Sequence, residues 1–113
     1  MKDEARALLF DMQQACERIL QFTKDKTLSG YGNDIYCRSA VERQLQIVGE
    51  ALVKLSKLHP DIAEQIPSRR TIISFRNILV HGYDKVDNEV VWGVITRDLP
   101  ALHKTVEDLL GKP

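Results

Sequence analysis

The chain lacks an excess of charge of either sign, because 16 Lys and Arg residues balance 16 Asp and Glu residues. That balance argues against a protein that coats nucleic acid through bulk charge, although it leaves room for a local basic patch. Long apolar runs are also missing, and no stretch approaches the length needed to span a membrane. The N-terminus has no signal-peptide core, so we expect a cytoplasmic protein.

Cysteine is scarce, and the two cysteines, Cys16 and Cys37, both fall in helical patterns. We interpret them as reduced residues of the core, where free cysteine behaves as a small hydrophobe. No CxxC motif or Cys/His cluster has metal-ligand spacing, so neither a metal nor a cofactor is expected. A length of 113 residues suggests a single domain over residues 1–113.

The sequence also lacks any stretch that alternates with a period of two for long enough to predict a strand. Apolar residues instead recur at three- and four-residue steps, which predicts helices over 3–22, 34–58, 68–82 and 88–110. A short helical turn is expected over 61–66, and loops over 23–33 and 84–87. Pro100 should break or kink the last helix. The pattern predicts an all-α bundle of four to five antiparallel helices, packed as a homodimer along one apolar stripe.

Helix caps and core faces follow from the same pattern. The predicted N-caps are Asp3, Asn33 or Asp34, Ser68, Asp87 or Asn88, and Asp98 for a continuation around Pro100. Gly82 is expected to end the third helix in the left-handed conformation. The predicted core faces are Leu8, Leu9, Met12, Ala15, Cys16, Ile19 and Leu20; Ile35, Ala40, Val41, Leu45, Val48, Leu52 and Leu55; Val90, Val91, Val94 and Ile95; and Leu102, Val106, Leu109 and Leu110.

Chemistry concentrates in the stretch 74–83, which contains Arg76, His81 and Tyr83 at the end of the third helix. Arg76 and His81 would lie about 140° apart on an ideal helix. They could converge if the helix loosens at His81, or if a second copy of the chain completes the site. Arg76 and Tyr83 would share a face if the helical turn continued to Tyr83.

These residue types suit cleavage of an RNA phosphodiester without a metal. Histidine suits the proton transfers to and from the attacking and leaving oxygens, because its ordinary pKa lies near neutrality. Arginine suits the phosphate, because its planar fork stays charged and donates two hydrogen bonds. Four more residues could guide an RNA backbone: Arg69, Arg70, Asn77 and Lys85.

Simpler interpretations remain open. Arginine and histidine near a helix C-terminus most often satisfy end carbonyls and favour the helix dipole. Tyr83 would by default be a half-buried aromatic residue. Glu42 and Glu50 would by default lie on a solvated helix face, or else organise an interface or brace a nearby arginine. A binding module that holds a nucleotidyltransferase or a nucleotide without cutting RNA is the alternative function, and a purely structural dimerisation bundle is the third.

The segment from Arg76 to Tyr83 resembles the R-x4-H-x-Y motif of HepT toxins, members of the HEPN superfamily. The resemblance extends over almost the whole chain and includes the blocks 40–51 and 91–100. It implies a HEPN helical bundle and a metal-independent ribonuclease toxin of a type VII-like toxin–antitoxin system, acting on tRNA or mRNA.

The resemblance also implies roles and partners. Arg76 and His81 of two chains would surround a shared cleft in a homodimer. The partner would be an antitoxin with a minimal nucleotidyltransferase (MNT) domain, which transfers AMP units from ATP onto Tyr83. Each added nucleotide would bring negative charge and bulk to the cleft and would exclude RNA.

Overall fold

A computed structural model describes residues 1–111 and contains four long helices and three short ones in that range. The long helices are α1 (Asp3–Phe22), α3 (Ile35–Leu58), α5 (Arg69–His81) and α7 (Leu99–Leu110). The short helices are α2 (Leu28–Gly32), α4 (Pro60–Ala63) and α6 (Asn88–Gly93). A 3₁₀ turn over Tyr83–Lys85 follows α5, and a π-helical turn over Val94–Asp98 joins α6 to α7. The predicted all-α bundle is confirmed.

The long helices pack as antiparallel neighbours, with α3 between α1 and α5, and with α7 on α1. Near one end of the bundle the Arg6 guanidinium donates to the Leu110 carbonyl at 3.0 Å. Further along, a Glu17 carboxylate oxygen of α1 lies 3.0 Å from the ring of His103 on α7. The order therefore runs α7, α1, α3, α5, and α5, which carries the motif, lies at one side of the bundle.

Buried residues follow the predicted spacing along each long helix. In α1 and α3 most of the buried residues are three or four positions apart, and this spacing places them on one face of each helix. The core of these two helices is Ala5, Leu9, Met12, Ala15, Cys16 and Ile19, with Cys37, Val41, Leu45, Val48, Ala51, Leu52 and Leu55. Each large apolar side chain buried here stabilises the fold by roughly 1.5–3 kcal/mol.

The two cysteines are free and buried, as predicted. Burial raises the pKa of the Cys16 thiol to about 12, and the neighbouring Glu17 carboxylate adds to that effect. The thiol therefore stays protonated and unreactive at neutral pH. Across the described residues, no helix has the length and hydropathy needed to cross a membrane.

The segment 23–33 is not wholly a loop, because it contains α2. The Thr27 hydroxyl accepts a hydrogen bond from the Gly30 N–H at 3.0 Å and caps this helix. The ring of Tyr31 is completely buried, and its centroid lies 5.5 Å from that of Trp92. A five-residue helix with two glycines is unstable alone, so burial of Tyr31 stabilises it here.

The predicted caps Asp34 and Asp87 are confirmed, whereas Asp3 is not a cap. The Asp34 carboxylate accepts from the Cys37 N–H at 3.0 Å, and the Asp87 carboxylate accepts from the Glu89 N–H at 2.8 Å. The hydrogen bond from Cys37 holds the pKa of Asp34 below its ordinary value. Asp3 lies inside the first turn of α1 instead of capping it, where its charge still favours the helix dipole.

Ser68 occupies the N-cap position of α5, but its side chain makes no capping hydrogen bond. Its φ is +61°, a left-handed conformation that is strained for a residue with a Cβ. Its hydroxyl instead donates to the Asp98 carboxylate at 3.0 Å. Asp98 therefore does not cap α7 as predicted, and the two residues tie the start of α5 to the π-helical turn.

Pro100 neither breaks nor sharply ends the last helix. The chain passes from α6 through the π-helical turn into α7 with helical backbone angles at Gly93, Val94, Asp98 and Leu99. Proline lacks an N–H and crowds the carbonyl four residues before it, and the wider turn over Val94–Asp98 relieves that conflict. The start of a helix is also a favourable position for proline, and Pro100 lies near the start of α7.

Two core assignments and one cap assignment were wrong. Ile35 is 56% exposed and Val90 is 51% exposed, whereas Val91, Val94 and Ile95 are buried as predicted. Gly82 follows α5 as expected, but its φ is −138°, which is not the left-handed conformation. Other residues could adopt this φ, so conformational freedom does not explain the glycine.

Candidate functional site

The motif lies at the C-terminal end of α5 and in the turn that follows. The helix continues through His81, and the Gly82 N–H bonds back to the Ile78 carbonyl at 2.8 Å. The helix therefore does not loosen at His81, and the offset of about 140° between Arg76 and His81 stands. Tyr83 lies beyond the helix in the 3₁₀ turn, so it does not extend the helical face of Arg76.

Arg76 lies across the middle of α3, at Gly49. A Cβ at Gly49 would lie 2.3 Å from the Arg76 Cβ and 2.7 Å from its Cγ. Only glycine leaves room for this crossing, and a glycine inside a long helix signals such a close approach. The sequence pattern offered that signal, but it could not show that Arg76 is the residue opposite.

The guanidinium of Arg76 is only partly satisfied. One Nη donates to the Asn77 side-chain oxygen at 2.9 Å. The Nε is buried and has no hydrogen-bond partner within residues 1–111. A buried donor without a partner is costly, and an anionic acceptor such as a phosphate oxygen could reach this atom only if the Arg76 side chain moved out of its contact with α3.

Glu42 and Glu50 do not brace that arginine. Within the described part of the chain, neither carboxylate forms a hydrogen bond or ion pair with Arg76. Both glutamates are half-buried on α3. Burial raises the pKa of Glu42, and the charge of Arg38 partly opposes that rise.

His81 and Tyr83 are open to solvent. His81 is exposed at the last position of α5. Tyr83 is 79% exposed. Asn77 and Lys85 are exposed nearby, and the Lys85 side chain approaches Gly82. This end of α5 thus presents imidazole, phenol, amide and ammonium groups together.

Arg69 and Arg70 lie at the opposite end of α5, roughly 18 Å from His81 along the helix axis. They line a shallow cavity of about 260 Å³ with Ser56, Pro60, Ala63, Glu64 and Ile73. The structure therefore does not bring these two arginines to Arg76 and His81. An RNA chain would have to extend along α5 to contact both ends.

The other two histidines have carboxylate partners that the sequence did not predict. His59 lies 2.9 Å from a Glu4 oxygen, and His103 lies 3.0 Å from a Glu17 oxygen. Both pairs join residues far apart in the chain, so no local pattern could indicate them. His81 forms no such pair within the described residues.

The all-α bundle, with Arg76 and an exposed His81 on one helix, is consistent with a HEPN bundle. The family model described as Ribonuclease HepT-like matches residues 12–109, and the chain belongs to that family. The resemblance to HepT-like proteins and the enzyme class, ribonuclease, are confirmed.

Relatives of similar length support the same assignment. The chain is 32% identical to "Putative RNase MJ1380" of Methanocaldococcus jannaschii over 108 residues, which cover 94% of this chain and 96% of that protein. It is 32% identical to "Probable ribonuclease HepT" of Thermococcus cleftensis over 113 residues, which cover 96% of this chain and 98% of that protein. No solved structure gives a significant match.

Proposed function

We propose that this chain is the toxin of a type VII-like toxin–antitoxin system and cleaves tRNA or mRNA without a metal. The observation that supports the proposal is that this member of the HepT-like family contains both motif residues, Arg76 and His81. Arg76 is partly exposed on α5, and His81 is exposed at the end of the same helix. The action is proposed to occur in the cytoplasm, where the RNA is.

Cleavage would follow from the chemistry of these two side chains. The 2′-hydroxyl of the RNA attacks the adjacent phosphorus while one His81 imidazole takes its proton. A second, protonated His81 gives a proton to the leaving 5′ oxygen, and a cyclic phosphate remains on the other fragment. The Arg76 forks donate to the phosphoryl oxygens, where negative charge increases in the transition state.

The mechanism needs two histidines, and we propose that a homodimer supplies them. Within one chain α5 stays helical through His81, so Arg76 and His81 point in different directions. A two-fold axis near α5 would let Arg76 of one chain meet His81 of the other. An apolar groove of about 380 Å³ beside the motif, lined in part by Phe75, Ile78 and Val90, supports such packing.

Regulation would occur at Tyr83, through a minimal nucleotidyltransferase antitoxin. The Tyr83 oxygen would attack the α-phosphorus of ATP, pyrophosphate would leave, and the phenolic proton would pass to a base or solvent. The exposure of Tyr83 makes that oxygen accessible. The attached AMP carries negative charge next to His81 and competes with RNA for the Arg76 guanidinium groups.

The test is cleavage of total RNA in EDTA by the purified chain and by His81→Ala. We expect the wild type to produce fragments and His81→Ala to lose activity by roughly 10²- to 10⁴-fold, because proton transfer is lost. His59→Gln is the matched control, since His59 pairs with Glu4 at the far end of α3. Equal cleavage by His81→Ala and wild type would overturn the assignment, and binding without cleavage would favour the non-catalytic module.

A further inference from the structure

Three side chains that can ligate a metal meet on the seam between α1 and α7, on the side of the bundle away from α5. They are Glu17 of α1 and His103 and Glu107 of α7. One ligand atom from each residue lies within 4.8 Å of the other two. We infer that this trio binds a divalent transition-metal cation of the Zn²⁺ type, outside the ribonuclease site.

The helix geometry explains why the three groups converge. His103 and Glu107 are four residues apart on α7, so they occupy the same face of that helix. The antiparallel packing of α1 brings Glu17 against that face, with its Oε2 3.0 Å from the His103 Nε2. Ligands on one tetrahedral Zn²⁺ lie about 3.4 Å apart, given bonds of about 2.1 Å. Small rotations of exposed carboxylates would therefore close the site.

Electrostatics favours a cation at this point. His103 lies at hydrogen-bond distance from Glu17, and the Glu107 carboxylate has no side-chain hydrogen bond or ion pair among residues 1–111. The two like charges lie close enough to repel each other. A divalent cation would neutralise both carboxylates and would accept the imidazole nitrogen as a third ligand.

The ligand set points to the class of metal. Imidazole with carboxylates suits Zn²⁺ and its transition-metal neighbours, whereas Mg²⁺ prefers oxygen ligands and retains its waters. The side chain of His103 is 19% exposed and that of Glu17 is 49% exposed, so the histidine is held while the site stays accessible. Three protein ligands would leave one position for water. Binding would join α1 to α7.

The experiment measures metal binding by the full chain without reference to RNA. EDTA-stripped wild type is titrated with ZnCl₂ or MgCl₂ by calorimetry, and its Tm is measured with and without each metal. We expect Zn²⁺, but not Mg²⁺, to bind and to raise the Tm, because a ligand that binds only the folded state stabilises it. Glu107→Gln and His103→Gln should each weaken Zn²⁺ binding by roughly tenfold or more.

Two features of the design keep the outcomes clear. Glu107 is exposed and has no side-chain hydrogen bond or ion pair in the described chain, so Glu107→Gln should keep the metal-free Tm of the wild type or raise it slightly by removing the repulsion from Glu17. His59→Gln removes another histidine–carboxylate pair and should keep the full response to Zn²⁺. No Zn²⁺ binding by wild type, an equal response in Glu107→Gln, or an equal response to Mg²⁺ would overturn the inference. RNA cleavage in EDTA is a separate measurement, so the two proposals fail independently.

Discussion

Three tyrosines of this chain differ sharply in accessibility. Tyr31 is completely buried, whereas Tyr36 is 87% exposed and Tyr83 is 79% exposed. Burial raises the pKa of the Tyr31 hydroxyl, and that oxygen has no hydrogen-bond partner within residues 1–111. Accessibility alone therefore excludes Tyr31 as a target for modification, but it does not distinguish Tyr36 from Tyr83.

The exposed pair allows a controlled test of modification. The chain is incubated with ATP, Mg²⁺ and a purified minimal nucleotidyltransferase of the proposed antitoxin class, and adducts are located by peptide mass spectrometry. We expect AMP on Tyr83, no adduct in Tyr83→Phe, and an unchanged adduct in Tyr36→Phe. Modified protein should also lose RNA cleavage, because the added phosphate engages Arg76. AMP on Tyr36, or adducts that persist in Tyr83→Phe, would contradict the proposal.

At the scale of helices, the contact between α3 and α5 depends on Gly49. The Arg76 Cβ and Cγ occupy the space that any side chain at this position would need. A larger residue would force the two helices apart or would rotate Arg76. Stability and the placement of the guanidinium thus depend on the same packing contact.

Gly49→Ala should therefore lower both stability and activity. Overpacking of this kind costs roughly 1–3 kcal/mol in the free energy of unfolding, which urea denaturation measures. We also expect kcat/KM for RNA cleavage to fall under conditions in which the variant remains folded, since Arg76 is displaced.

Gly93→Ala is the matched control for that prediction. The nearest atoms to a Cβ there would be those at the end of the Arg97 side chain, at 3.7 Å, which is an ordinary van der Waals distance. Alanine favours helix over glycine by about 1 kcal/mol, so this variant should be as stable as the wild type or more so, with unchanged activity. Wild-type stability and kcat/KM in Gly49→Ala would show that the close approach has no role.

The long helices were predictable from sequence because burial of one face determines them. The short helices were harder to predict from sequence. Helix α2, for example, depends on burial of Tyr31 against Trp92, which no local pattern reveals. Val90 was assigned to the core because a six-residue helix gives too short a pattern to fix its buried face. The motif residues could be singled out by their chemistry and spacing, and the resemblance added their expected roles, whereas the crossing at Gly49 depends on how α3 and α5 pack.

For the molecule as a whole, one chain presents one Arg76 and one His81 on different sides of the same helix. Two copies would supply two of each, so the proposed reaction depends on association. The chain has a mass of 12.9 kDa, and light scattering should give twice that value for the active species.

Mixed dimers test whether the site is shared. Wild type and His81→Ala, each carrying a different affinity tag, are coexpressed and the heterodimer is purified through both tags. The wild-type homodimer should be active, and the heterodimer should be nearly as inactive as the His81→Ala homodimer, because it retains only one of the two histidines that the mechanism needs. A monomeric active enzyme, or a heterodimer with about half of the wild-type activity, would refute a site built from two chains.

The π-helical turn over Val94–Asp98 has an evolutionary consequence. Such a turn corresponds to a single inserted residue within an α-helix. A deletion of one residue there would leave the faces of α6 and α7 oriented as they are now, but regular winding would again crowd Pro100 against the carbonyl four residues before it. We therefore expect the extra residue and the proline to be kept or lost together in relatives, whereas a one-residue change inside α7 would rotate Leu102, Val106 and Leu109 away from the core.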